Sequence, residues 1–254
     1  MIWMKIIPGV LKELLSHVPT VLFQATDWSA LASELPKLSR RLLQREGYTE
    51  LFSHHREFLT PFEINLKQSL DNKNSSSLPS ESAEKVLTLY FCQLFSPKGL
   101  FLDLRPSHLD FKEGKLFWNP TGLWTKFNEE FRQGIIKIYD GFYGDNDQLF
   151  QKGLIEIGLA SSDWPSKDLA KLGELFRAHF SSSSIEEMVF DLDTFKDSLV
   201  EITHFLLEKK VIISNDFLYL GIYLVTFYSS MEQTKAPINV KATYFKVREQ
   251  FQTL

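Results

Sequence analysis

Leu31, Leu35, Leu38 and Leu42 fall at steps of 4, 3 and 4 in "DWSALASELPKLSRRLLQREG", which lays one apolar stripe along an α-helix. Asp27 stands in front of the stripe as its cap, and Pro36 inside it is expected to bend or break the helix. The same period returns in "FNEEFRQGIIKIYDGFYG" with Phe131, Ile135, Ile138 and Phe142, and in "DNDQLFQKGLIEIG" with Phe150, Leu154 and Ile157. Each of these two runs into a glycine, a common helix stop. Ser166 reads as the cap of "KDLAKLGELFRAHF", and Asp193 as the cap of a helix carrying Phe195, Leu199, Ile202 and Leu206. An apolar helix from Ala83 to Phe95 is ended by Pro97 and Gly99, and a last pair of helices starts near Ser214 and Lys241.

Other stretches break this rhythm. "LDFKEGKLFW" has two short apolar runs around Lys112-Glu113-Gly114-Lys115 and predicts a β-hairpin, while "MIWMKIIPG" reads as a strand. The polar, Ser-rich segment Asp71 to Ser82 reads as a loop or linker, and the four serines 181 to 184 as a second break. The pattern predicts an α+β chain, mainly α-helical, with a few strands near residues 1 to 8 and 100 to 120. No repeat of fixed period is present, which argues against a solenoid.

Composition narrows the classes. A chain of 254 residues can bury a full-sized core, and its 22 Phe can build that core from few contacts or line an apolar groove. The net charge is −4 with Lys and Arg spread along the chain, so nucleic acid is not an expected partner. The single cysteine, Cys92, excludes a disulfide within the chain and a thiolate-rich metal site; inside "LTLYFCQLF" it reads as a small buried hydrophobe in a reducing compartment. The start lacks the pattern of a signal peptide. The longest apolar run, Phe217 to Tyr228, spans 12 residues against the roughly 20 needed to cross a bilayer. A soluble, cytoplasmic protein without a transmembrane segment is expected.

Candidate chemistry concentrates in "GLFLDLRPSHLDFKEGKLFWNPTG", Gly99 to Gly122. Asp103 on a loop can accept a proton or hold a metal, and His108 can ligate or relay. The plainer alternative is that Asp103 caps a turn, Arg105 pairs with it and His108 is structural. Lys5 in its strand can grip phosphate as a point charge or simply guard a sheet edge. His54 and His55 are neighbours that point about 100° apart on a helix, a poor start for a metal site. There is no Gly-rich phosphate loop, nucleophile elbow or zinc-type His-Glu-x-x-His.

The order of these pieces resembles the UbiB/AarF-type atypical kinase family, protein-kinase-like proteins linked to quinone and lipid metabolism. "IWMKIIPGV" looks like the family's Val-Ala-Val-Lys-Val-Gln-x-Pro-Gly strand, which would make Lys5 the nucleotide-facing lysine. "GLFLDLRPSHL" looks like its Gly-Phe-Phe-His-Ala-Asp-Pro-His-Pro-Gly-Asn-Leu with one residue deleted. "GKLFWNPTGLWTKF" looks like Gly-Lys-Leu, two apolar residues and Asp-Phe-Gly. The resemblance implies a protein-kinase-like fold: residues 1–70 as a reduced N-lobe, 71–82 as a polar linker and 83–254 as a helical C-lobe.

Asp103 then matches the catalytic Asp, with Arg105 where a His is usual, and Lys5, His108 and Asn119 would face a nucleotide. The family's metal ligands, an Asn and the Asp of Asp-Phe-Gly, are here His108 and Pro120; Pro120 has no side-chain ligand and His suits Mg poorly. Gly47 stands where an acidic residue is usual, "LFSH" replaces Glu-Ala-x-Asn, and the phosphate-covering strand and Lys-x-Gly-Gln signature are not in this sequence. Phosphoryl transfer depends on metal at the phosphates. The resemblance therefore implies a catalytically inactive pseudokinase that binds a protein partner or an apolar ligand, with peripheral membrane contact left open and no metal. Two alternatives remain: a divergent ATP-dependent kinase or ATPase that keeps Lys5 and Asp103 and recruits Asp110 or Glu113 for metal, and an unrelated helical interaction protein.

Overall fold

The computed structural model describes residues 9–68, 77–179 and 187–252. The strand expected at residues 1 to 8, with Lys5 in it, the first part of the polar segment (71–76) and the serines 181 to 184 lie outside the described residues. The rest is mainly helical with two small sheets, the α+β class read from the pattern.

The amino-terminal part holds α1 (Gly9–Ser16), α2 (Trp28–Gln44), α3 (Tyr48–Leu59) and the short strand β1 (Ile64–Leu66). Asp27 caps α2, its carboxylate accepting from the amides of Ser29 and Ala30. Pro36 does not break α2, which runs on to Gln44. The proline is exposed, on the solvent side of the helix, where the missing amide bond costs least.

Next come α4 (Ala83–Phe95), β2 (Leu100–Phe101), the hairpin β3 (Leu109–Lys112) and β4 (Lys115–Trp118), and β5 (Trp124–Thr125). The hairpin closes through Glu113 and Gly114, both at positive φ (52° and 75°), as a two-residue hairpin turn requires. β4 also pairs, parallel, with β1, and β2 pairs antiparallel with β5. Residues on either side of the polar segment thus share one sheet. Leu78 is buried and Ser80–Ser82 makes a helical turn into α4, so the end of that segment is packed. β1 escaped the sequence reading because three residues carry no period.

The carboxyl-terminal part is all helix: α5 (Glu129–Tyr143), α6 (Asp147–Glu156), α7 (Ser166–His179), α8 (Leu192–Glu208), α9 (Asn215–Thr234) and α10 (Val240–Gln252). Every stripe residue expected on α5, α6 and α8 is buried. The cap of α8 is Asp191, which accepts from the Thr194 amide, and not Asp193, which lies in the first turn. α4 runs through the centre, almost wholly buried, with α9 and α10 against it. Aromatics fill the joints: Tyr90 stacks on Phe227 at 4.3 Å, and Phe91 and Phe95 meet the Tyr244 ring edge-on at 5.2 and 5.6 Å. Cys92 is buried in the same core.

Candidate functional site

The segment that runs from Gly99 through β2 into the following loop is fixed from three directions. Gly99 at its start has φ 129°, and a Cβ there would lie 2.7 Å from the Thr125 carbonyl oxygen, so only glycine fits. Its own carbonyl accepts from His55 Nε2 at 3.0 Å. That bond puts the proton on Nε2 and leaves buried Nδ1 without a partner, and burial pushes the His55 pKa down to about 4. Gln93 of α4 then takes the Phe101 amide at 2.8 Å, and Leu102 donates to the Leu123 carbonyl at 3.0 Å.

Helix α9 supplies the third hold. Thr226 Oγ1 donates to the Leu102 carbonyl (3.0 Å) and accepts from the Leu104 amide (3.1 Å), and Ser230 Oγ donates to the Leu104 carbonyl. With the backbone held on both sides, the Asp103 side chain is buried among its own loop neighbours. Arg105 forks onto it, Nε to Oδ1 at 2.9 Å and a terminal nitrogen to Oδ2 at 2.8 Å, while the Arg105 amide reaches Oδ1 at 3.2 Å. His108 Nε2 sits 3.1 Å from Oδ2.

Burial alone would raise the Asp103 pKa. The hydrogen bonds from His108 and Arg105 outweigh it and hold the carboxyl at about 2. The Arg105 guanidinium is raised in turn, first by its bond to Asp103. Its remaining terminal nitrogen pairs with Glu13 of α1.

A second loop, residues 119–123, lies beside the first: the Asn119 amide donates to the His108 carbonyl at 2.9 Å. Pro120 is buried, its carbonyl accepting from Tyr48 at 3.2 Å. Gly47, at φ 70°, lies under the Trp124 ring, where a Cβ would come within 2.5 Å of a ring carbon, so no acidic side chain can stand there. The structure thus brings Asp103, Arg105 and His108 together, places Asn119 beside them through the backbone, and does not describe Lys5. Asp110 pairs with Lys112 at 2.7 Å, and Glu113 sits at the exposed hairpin tip. Among the described residues no three His, Cys, Asp or Glu side chains converge to hold a metal. Among the described residues this donor set suits magnesium poorly: Asp103 has spent both oxygens, His108 faces Asp103, and Pro120 offers no side-chain oxygen.

Beside the loop opens a cleft of about 400 Å³, within the range of small-molecule sites, between α1, the turn at Pro106–His108 and α9. The sequence reading missed Glu13, Thr226 and Ser230. The last two had a faint signal: Thr226 and Ser230 lie four apart, on one face of a largely apolar helix, where a buried polar group must have a partner.

Fold and site together define a mainly helical α+β protein in which a backbone-anchored loop holds a buried Asp103 against the partly exposed Arg105 and His108. No protein-family model and no curated protein matches the chain. Among the described residues no helix is long and apolar enough to cross a membrane.

Proposed function

We propose that this chain is a kinase-like scaffold without phosphoryl-transfer activity, a UbiB/AarF-like pseudokinase that acts by binding a protein partner or an apolar ligand. One observation carries the reading: both carboxylate oxygens of Asp103 are consumed inside the protein by Arg105 and His108. A general base must turn a free lone pair toward the substrate proton. This carboxylate has none to offer. The arrangement of the two loops supports the kinase-like part, because the loop of Asp103 and the loop of Pro120 lie side by side, joined through Asn119 and Leu123. Such a pairing is what a site needs to bring a base and a metal ligand to one phosphate.

The test is a thermal melt with ATP alone, with ATP and Mg, and with neither, together with a phosphate-release assay. A ligand at a hundred times its dissociation constant adds about 2.7 kcal/mol to stability. The expected result is no Mg-dependent shift and no phosphate release. Mg-dependent hydrolysis that Asp103→Ala abolishes would overturn the proposal in favour of a divergent ATPase.

A further inference from the structure

Arg105 has five N–H donors arranged as a fork. Nε and one terminal nitrogen face Asp103, and the outer edge points to the cleft, where Glu13 lays its carboxylate against the other terminal nitrogen. Glu13 comes from α1, and its side chain is 58% exposed, so this carboxylate is held loosely. The arginine edge that faces the cleft is therefore already an anion site with a tethered occupant.

The rest of the cleft is furnished for a ligand. One stripe of α9, Val225, Ser229 and Gln233 at steps of four, lines one wall; Leu192 adds apolar surface and Ser107 a hydroxyl from the loop. The side chains of Ser107, Ser229 and Gln233 make no hydrogen bond among the described residues, whereas the neighbouring Thr226 and Ser230 spend theirs on the loop backbone. Unengaged donors gathered round one guanidinium edge, over apolar walls, match an acid head on an apolar body.

We infer that the cleft binds a small carboxylate with an apolar body, its carboxylate displacing Glu13 from the outer edge of Arg105. At Arg105 one carboxylate replaces another and the bonds to Asp103 are kept, while the complex as a whole gains the ligand's negative charge. Glu13 then acts as an internal competitor that sets the affinity, while α1 stays docked through Leu14, which is buried. The inference deepens the binding role proposed above and rests on that reading for its setting.

The experiment titrates the full chain with decanoate, and with decanol as the uncharged control, by isothermal calorimetry and by amide chemical shifts. Decanoate is expected to bind and decanol to bind at least tenfold more weakly. Glu13→Gln should tighten decanoate about two- to fivefold, the range an exposed ion pair allows, without changing the fold. Ser229→Phe, which fills the cleft from a half-buried position and leaves the Asp103 cluster untouched, should abolish binding. Equal binding of acid and alcohol, or weaker decanoate binding in Glu13→Gln, would sink the proposal. Failure here with no ATP hydrolysis leaves the pseudokinase reading standing; hydrolysis of ATP removes that reading whatever decanoate does.

Discussion

Replacing Asp103 by Asn keeps the shape of the side chain and deletes its charge. The carboxyl titrates at about 2 against an ordinary 3.8, and each pKa unit is worth about 1.4 kcal/mol, so the charged form gains roughly 2.5 kcal/mol from its surroundings in the folded state. Breaking a buried ion pair typically costs about 3–5 kcal/mol because the stranded partner charge stays desolvated. Arg105 keeps 16% of its side chain in contact with solvent and can hydrate, so the lower figure applies. For a chain of this size about 2.5 kcal/mol lowers Tm by roughly 5–10 °C.

Calorimetric or circular-dichroism melts of Asp103→Asn at pH 7 should show that drop. An acid kept in place for chemistry behaves in the opposite way, since strained functional groups cost stability and their removal often restores it. A Tm change below about 2 °C, or a rise, would refute the structural role of the cluster. The sign with pH adds a second check. The native pKa is depressed, so the stabilisation is full above about 4 and is lost as the pH falls toward about 2. Asp103→Asn should flatten that limb of the stability curve.

Burial holds both His55 and His179 near pKa 4 against an ordinary 6.5, so the unfolded chain binds protons that the native one refuses; stability should fall between pH 6.5 and 4, by about 2 kcal/mol per histidine at pH 5, and urea midpoints at pH 7 and 5 measure it. Thr226→Val keeps the volume but leaves the Leu102 carbonyl and the Leu104 amide unpaired, which should cost about 1–3 kcal/mol in denaturant titrations; a neutral outcome would mean water replaces the hydroxyl. Pro36→Ala restores the amide missing from an exposed helix interior and should raise Tm, with a gain of up to about 3 kcal/mol reduced by the greater freedom of the unfolded chain; a lower Tm would show that the helix depends on the ring.

The helices could be read from the sequence wherever a stripe was long enough to repeat. α5, α6 and α8 bury the residues that their spacing selected, and the hairpin follows from Glu113-Gly114 flanked by apolar runs. β1 could not be read, because a strand of Ile64–Leu66 is set by its parallel neighbour β4, about fifty residues on. Asp193 and Asp191 show how fine the limit is: both are acids before the same stripe, and only the backbone at Asp191, φ −130° and ψ 122°, turns its carboxylate onto the Thr194 amide.

For the site, the sequence supplied the residue types and left their roles open. Asp103 with Arg105 two places on and His108 five places on can be written by a reactive loop or by a self-satisfied turn, since a pair so close in sequence meets in either case. What separates the two is where the loop backbone is held. Thr226 and Ser230, more than 120 residues away, pin Leu102 and Leu104 so that the carboxylate between them is buried and engaged by its own loop. A pin of that kind leaves only a faint mark in sequence, two hydroxyls four apart in an apolar helix. Its consequence is large, because a carboxylate with both oxygens engaged and its pKa near 2 is an anion at neutral pH, and an anion so paired stabilises a loop better than it moves a proton.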